Sequence, residues 1–323
     1  MIDNSLKVKK SNIYALFLSL FVFIFSLYVF DYYINGDQKE YHNFYDNCLS
    51  NIFSYIENYE CYNNMLGSSE PIYFILASIF SIFVSKNVFI SFFNALLTFI
   101  FVKLINIKKE NYLLTFFLIF NFYFLVILFS AERLKFSLFF LFWAIYFFLK
   151  NNTLDRKILI FTVLACLSHF QVLILIGGFL LAYYRNKLTL TNMLFLSTSV
   201  LIYIYLFYDL ILYKFNSYLN IDNLLDSFLS FVKVGIFIII SFIYIKDLKL
   251  KNDIFLVSIP LLIAAFLLGS DRLVIFGFFI YLFVYIFKQK NINFDIFIFI
   301  IVGYYFFKSW GFLNNILEYG NGF

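Results

Sequence analysis

Residues 130–184, SAERLKFSLFFLFWAIYFFLKNNTLDRKILIFTVLACLSHFQVLILIGGFLLAYY, decide how the chain folds. Arg133 and His169 lie here among long apolar runs. A charged side chain near the middle of a bilayer helix costs roughly 2.5–3.5 kcal/mol, so such residues usually face a polar cavity and mark a functional site. The stretch therefore predicts a polytopic membrane protein organised around Arg133 and His169.

The composition of the whole chain agrees with a membrane protein. Of its 323 residues, 63% are hydrophobic and only 13% are charged, whereas a soluble domain has about 25% charged residues. The excess apolar surface requires lipid. We therefore predict an all-α integral membrane protein with about 10–12 transmembrane helices, each of about 20 apolar residues. A single transmembrane domain is expected over residues 1–323.

The lengths of the apolar runs predict how the first half of the chain crosses the bilayer. Residues 13–30 form a first span, which is retained because no small-residue cleavage site follows it. Residues 71–85 are too short to cross and fit a re-entrant or interfacial helix, whereas residues 87–105 form a full span. As one helix, residues 111–149 would measure roughly 58 Å, about twice the hydrocarbon thickness, so they must fold back near Glu132 and Arg133.

The remaining runs leave one alternative open. Residues 158–184 form either one tilted span or a tight hairpin bent at Ser168 and His169. Later spans are predicted at residues 190–208, 231–245, 254–268, 273–287 and 294–307.

The charges in the loops predict the orientation in the cytoplasmic membrane. Basic residues cluster in short loops, which favours a cytoplasmic N-terminus. The loop at residues 31–70 contains seven acids and one lysine, and is predicted to lie outside with a second polar loop at residues 209–230. Glu70, Arg133, His169 and Arg272 then all fall at the outer face, which predicts the active site there.

Several classes of function are disfavoured by what the sequence lacks. The net charge of +5 is dispersed over short loops, so no nucleic-acid partner is expected. There is no Walker motif or glycine-rich phosphate loop, which disfavours an ATPase, and no internal repeat of the kind that transporters use. No cluster of His, Cys and carboxylate residues has metal-ligand spacing, so we expect no metal and no cofactor.

Two arginines are candidates for binding a phosphate. A guanidinium binds phosphate oxygens bidentately through its planar fork. Arg133 lies in the predicted turn, although it could instead pair with Glu132 or with lipid headgroups. Arg272 follows Asp271 between two apolar runs, and the alternative there is a structural turn formed by the two residues.

Three further features have both a functional and a structural interpretation. His169 is a candidate general base or a hydrogen-bonded core residue. Glu70 is either a carboxylate at the substrate cavity or an N-terminal cap of the short helix that begins at residue 71. Cys48 and Cys61 share the predicted outer loop and are either disulfide-bonded or free thiols.

Five segments, in this order and spacing, resemble the polysaccharide polymerases of the Wzy and EpsG-like type. They are NGDQKEYHNFY, EPIYFILASIF, ERLKFSLFFLFWAIYFFL, LACLSHFQVLIL and DRLVIFGFF. The family has an outer-loop Asp followed by Tyr residues, Glu-Pro before an apolar helix, and an Arg that opens a span. A helix that ends in Phe-His or a near variant and a late Arg come next.

The resemblance implies a GT-C-like membrane glycosyltransferase that joins repeat units into O antigen, capsule or exopolysaccharide. Its donor and acceptor would be polyprenyl-pyrophosphate-linked glycans, the anomeric outcome would be inversion, and a chain-length regulator would be a partner beside the membrane lipids. Arg133 would stabilise the leaving pyrophosphate, His169 would be the general base, and Glu70 a reserve base. The implied substrate-binding residues are Arg272, Asp271, Asp37, Tyr41 and Tyr45.

Three other functions remain open at this point. A flippase for lipid-linked oligosaccharides would share the membrane and the cargo, but would have charged residues distributed through the bilayer core. An O-antigen ligase would use similar chemistry, but its long outer loop usually lies later in the chain. A structural membrane subunit would not need Arg133, Arg272 and His169.

Overall fold

A computed structural model describes residues 2–49, 54–107, 112–151, 155–184, 224–245, 247–268, 271–288 and 296–323. These residues form fourteen helices and no strand. In chain order the helices are α1 (Ile2–Phe30), α2 (Asp37–Cys48), α3 (Tyr55–Leu66), α4 (Pro71–Ser81), α5 (Lys86–Ile105), α6 (Tyr112–Ile119), α7 (Phe122–Phe129), α8 (Glu132–Asn151), α9 (Arg156–Ser168), α10 (Val172–Tyr184), α11 (Leu224–Tyr244), α12 (Leu248–Leu268), α13 (Asp271–Lys288) and α14 (Ile296–Tyr319).

The predicted class, an all-α polytopic membrane protein, is confirmed. Within the described residues, four helices are long and apolar enough to cross a membrane, or five if the bent pair α6–α7 counts as one span. They are Lys10–Phe30, Lys86–Ile105, Glu132–Asn151 and Leu248–Leu268. The total of about 10–12 spans stays a prediction, because the span predicted at 190–208 lies outside the described residues.

The chain divides into two compact units. The first unit contains residues 1–170 and 292–323. In it, α1 packs along α5, α5 contacts α8, and α8 packs against α9, while α14 contacts α6 and α7. The second unit contains residues 171–291, and there α12 contacts both α10 and α11, and α13 packs on α11.

The long apolar run after residue 111 breaks twice. The predicted turn is confirmed, since α7 ends at Phe129 and α8 begins at Glu132. A second break, which we did not predict, bends α6 and α7 by 53°. Its cause is local, because Asn121 caps α7 by accepting a hydrogen bond from the Tyr123 backbone N–H at 3.1 Å. Such caps compete with continuation of the preceding helix.

The described residues of the polar segment at 31–70 form two helices, α2 and α3. A disulfide between Cys48 and Cys61 joins α2 to α3. The second helix ends at Gly67, whose positive φ of 54° is accessible to glycine at little cost. The short apolar helix α4 follows and begins with Pro71, whose fixed φ suits the first helical position.

The run at residues 158–184 is not one continuous helix. It breaks after Ser168, and a new helix begins at Val172. In the second unit, α10 and α12 approach closely at Gly178, where an added Cβ would lie 2.5 Å from the backbone oxygen of Val257. Residues 224–230 of the predicted second outer loop are the first turns of α11, and residues 209–223 lie outside the described residues.

Candidate active site

Glu70 occupies the position before the first turn of α4, where it is almost fully buried with 2% of its surface exposed. Both of its carboxylate oxygens have partners. The Arg133 Nη1 atom lies 2.6 Å from Oε2, and the His169 Nδ1 atom lies 2.8 Å from Oε1. The Ser68 hydroxyl also donates to Oε2. We call these four residues the Glu70 cluster.

The positions of these side chains at helix ends, and the packing of those helices, bring the side chains together. Each lies at the end of a helix: Glu70 before α4, Arg133 in the first turn of α8, and His169 directly after α9. Helix ends leave backbone groups without intrahelical partners, and polar residues are therefore tolerated there. Packing of α8 on α9 and of α4 on α9 within the first unit brings the three ends together.

The charges of the cluster fix the ionisation of Glu70. Burial alone would raise the pKa of this carboxyl group, but Arg133 and then His169 lower it by more. The pKa of Glu70 therefore lies well below its usual range, and the group is an ionised carboxylate at neutral pH. Such a carboxylate is a weak base, so the arrangement suits Glu70 to orient His169 rather than to accept a proton itself.

Two tyrosines from the polar segment enclose the cluster. The Tyr62 hydroxyl lies 3.1 Å from the Ser68 hydroxyl and donates to the Glu70 carbonyl oxygen at 3.2 Å. Burial raises the pKa of Tyr62, with Glu70 a further cause. Tyr41 interacts through its hydroxyl with the Arg133 guanidinium and is also buried. The disulfide-linked pair α2–α3 therefore supplies part of the wall around Glu70.

The structure brings together Glu70, Arg133, His169 and Tyr41 of the predicted site residues. Tyr45 is buried in aromatic packing, with 6.2 Å between the centroids of its ring and the Phe89 ring, and its place beside a sugar stays a prediction.

The other predicted site residues lie elsewhere. Asp37 begins α2 and is exposed. Asp271 and Arg272 begin α13 in the second unit.

A second buried network was missed by the sequence analysis. It contains Glu132, Lys86, Tyr73 and Gln38, all buried in the first unit. One signal was available, because Glu132 is one of the few charged residues in the apolar run at residues 111–149. No signal identified Lys86 or Tyr73 as its neighbours.

The chemistry that these residues can perform is proton transfer and anion binding. A neutral imidazole that donates through Nδ1 to a carboxylate has Nε2 as its acceptor nitrogen. A guanidinium has five N–H donors, and the contact with Glu70 uses Nη1 of Arg133. In the described part of the chain, no group of three His, Cys, Asp or Glu residues is arranged to hold a metal ion.

Comparison with known proteins identifies a family. The family model described as the EpsG family matches residues 14–321. No curated protein and no solved structure matches the chain. The matched range includes the Glu70 cluster and the second buried network.

Proposed function

The chain belongs to the EpsG family, and we propose that it is a membrane glycosyltransferase that polymerises polyprenyl-pyrophosphate-linked oligosaccharide repeat units. Family membership supports a polysaccharide-polymerase type of function. The observation that carries the specific proposal is the buried contact of Glu70 with both Arg133 and His169. This contact combines a candidate base with a candidate anion-binding group in one site.

His169 is proposed to activate the acceptor. In the reaction, a sugar hydroxyl of the acceptor attacks the anomeric carbon of the donor glycan, and the bond from that carbon to the pyrophosphate oxygen breaks. His169 Nε2 accepts the hydroxyl proton, while Nδ1 donates to the Glu70 carboxylate at 2.8 Å. The carboxylate holds the imidazole in this tautomer and stabilises the imidazolium that forms. A single displacement of this kind inverts the anomeric configuration.

Arg133 is proposed to stabilise the leaving pyrophosphate. Negative charge develops on the bridging oxygen in the transition state, and preorganised donors at that position lower the barrier. Arg133 lies in the first turn of α8, where the helix dipole also favours an anion. When pyrophosphate binds, the guanidinium would be shared between it and Glu70. Arg272 remains a second candidate for a phosphate contact.

The proposal includes a location and a product class. We place the reaction at the outer face of the cytoplasmic membrane, because the basic clusters favour a cytoplasmic N-terminus. The product would be O antigen, capsule or exopolysaccharide. A chain-length regulator protein is a proposed partner.

The function is tested in a strain deleted for this gene, by resolving its surface glycan on a gel. We expect the wild-type gene to restore a ladder of chain lengths, and Arg133→Lys, His169→Gln and Arg272→Lys to leave single repeat units at normal protein abundance. The matched controls are Arg156→Lys, at the exposed start of α9, and His42→Gln, the other histidine of the chain. Both controls should restore the ladder.

Two outcomes would overturn the proposal. If the deletion strain shows no surface repeat at all, the missing step precedes polymerisation, as a flippase would require. If the deletion strain retains a full lipid-linked ladder that is not transferred to its final carrier, the protein is a ligase.

A further inference from the structure

The first turn of α8 has a second set of contacts, made by Glu132, the residue before Arg133. Glu132 is fully buried there, and its Oε2 atom accepts a hydrogen bond from the Tyr73 hydroxyl at 2.7 Å. The Lys86 Nζ atom lies 3.4 Å from the Glu132 Oε1 atom. Tyr73 belongs to α4 and Lys86 begins α5, so Glu132 connects the first turns of three helices.

Gln38 extends this network to the break before α8. Lys86 donates a hydrogen bond to the Gln38 side-chain oxygen. The Gln38 amide donates in turn to the Phe129 carbonyl oxygen at 2.6 Å. Phe129 is the last residue of α7, and its carbonyl is one of those that a helix end leaves without an intrahelical partner. The network therefore fixes the end of α7 as well as the start of α8.

Both the network and the Glu70 cluster connect α4 to α8. Tyr73 lies three residues after Glu70 at the start of α4, and Glu132 is adjacent to Arg133 at the start of α8. The Tyr73–Glu132 hydrogen bond therefore runs beside the Glu70–Arg133 ion pair and joins the same two helix ends.

Structural stability alone gives a weak reason for this arrangement. Replacing a buried ion pair by apolar residues of similar volume is often neutral or stabilising. Here a further lysine, Lys135, is also fully buried, and its Nζ atom has no hydrogen-bond partner within the described part of the chain. It lies 5.7 Å from the centroid of the Phe30 ring. Two buried lysines beside one buried carboxylate point to a role other than maximal stability.

We propose that Glu132 and Tyr73 are positioning residues that hold Glu70 against His169 when Arg133 turns from Glu70 to an anionic group of the substrate. The inference rests on the proposed function. In the resting protein, both the ion pair and the Tyr73–Glu132 hydrogen bond tie α4 to α8. Once Arg133 is shared with pyrophosphate, the ion pair weakens and the hydrogen bond keeps the two helix ends in place. Glu132 and Tyr73 then affect turnover more than substrate affinity.

The first test is Tyr73→Phe, which removes the hydroxyl and keeps the ring that packs 5.5 Å from Phe136. With purified protein and lipid-linked repeat units, we expect kcat to fall about tenfold or more while KM stays near the wild-type value. The matched control is Tyr14→Phe in α1, which also removes a hydroxyl with a 2.7 Å hydrogen bond, here to the Tyr112 carbonyl at the start of α6. The control should turn over at the wild-type rate.

A pair of double variants separates the effect of the Tyr73–Glu132 hydrogen bond from the effect of the Lys86 and Glu132 charges. Lys86→Met with Glu132→Gln keeps a side-chain oxygen that can accept from Tyr73, whereas Lys86→Met with Glu132→Met does not. Both remove one positive and one negative charge, so the net charge around Lys135 is unchanged. We expect the double variant with Glu132→Gln to retain most of the wild-type kcat. In the double variant with Glu132→Met, kcat should fall about tenfold or more. Equal rates in the two double variants would overturn the proposal.

A readout that does not need polymerisation keeps the two proposals distinct. The chain has two histidines, so a histidine-labelled sample gives two imidazole signals, which His42→Gln assigns. With inorganic pyrophosphate added, we expect the His169 signal to shift in Tyr73→Phe relative to the wild type and to Tyr14→Phe. An unshifted His169 signal overturns the inference whether or not the protein polymerises. A wild-type protein that makes no polymer defeats the proposed function alone.

Discussion

Replacing Glu70 by Gln should leave a buried arginine without its counter-ion. Glu70 is 2% exposed and Arg133 8% exposed, and their closest atoms are 2.6 Å apart. Removal of one partner from a buried pair typically costs about 3–5 kcal/mol, because the remaining charge is uncompensated. A solvent-exposed pair contributes about 1 kcal/mol or less. We therefore expect Glu70→Gln to lower the free energy of unfolding by about 3–5 kcal/mol.

The assay is unfolding of the purified protein in mixed micelles by added SDS, followed by circular dichroism. Glu57→Gln is the matched control, since Glu57 is an exposed carboxylate in the same polar segment. Its free energy of unfolding should lie within about 0.5 kcal/mol of the wild-type value. Glu70→Gln combined with Arg133→Met removes both charges and should recover most of the lost stability, while polymer formation stays absent.

Two results would refute this reasoning. If Glu70→Gln lowers the free energy of unfolding by less than about 1 kcal/mol, water already solvates the Glu70–Arg133 pair, as at a protein surface. A double variant as unstable as Glu70→Gln alone would mean that the loss comes from the His169 or Ser68 contacts rather than from the unpaired guanidinium.

Three further predictions concern stability. The pKa of Glu70 is lowered in the folded protein, so its contribution to the free energy of unfolding is complete above the unfolded pKa of about 4.3 and is lost as pH falls towards the folded value. Unfolding measured over a series of pH values should show this loss in the wild type and not in Glu70→Gln. Replacing Cys48 and Cys61 by Ser opens a loop of 13 positions and should cost about 3 kcal/mol, which a melt with and without reductant measures. Gly178→Ala should cost about 1–3 kcal/mol by overpacking, whereas Gly177→Ala, with open space around it, should melt like the wild type.

The breaks between helices were predictable where length and local chemistry agreed. The run at residues 111–149 was too long for one span, and its only charges marked the turn before α8. Pro71 marked the start of α4 through its fixed φ. The break at Asn121 carried a signal as well, since Asn is a preferred helix N-cap. The length of the run does not require this break, because the turn before α8 already divides the run into two segments of spanning length.

The contacts within the candidate site could not be predicted from the sequence. Glu70 lies 63 residues from Arg133 and 99 residues from His169, and no local pattern encodes such a pairing. Each residue could be marked as unusual in an apolar context, but its partner depends on how α4, α8 and α9 pack. The same limit applies to Tyr45, for which the family resemblance implies a place beside substrate and whose ring is buried against Phe89; its role stays a prediction.

The burial of so many charges in one unit has a common electrostatic basis. Glu70 precedes α4, Lys86 begins α5 and Glu132 begins α8, and the Arg133–Glu70 and Lys86–Glu132 contacts bring these three helix N-termini together. Each N-terminus carries a partial positive charge of roughly half a unit. In the resting protein, the two carboxylates offset both this charge and the charge of the nearby cations. A pyrophosphate that approached Arg133 would compete with Glu70 for the same positive field, and the guanidinium would be shared between the two anions. Such sharing costs little reorganisation, because the helix ends and their donors are already in place. Preorganised donors of this kind lower the barrier of a reaction in which negative charge develops.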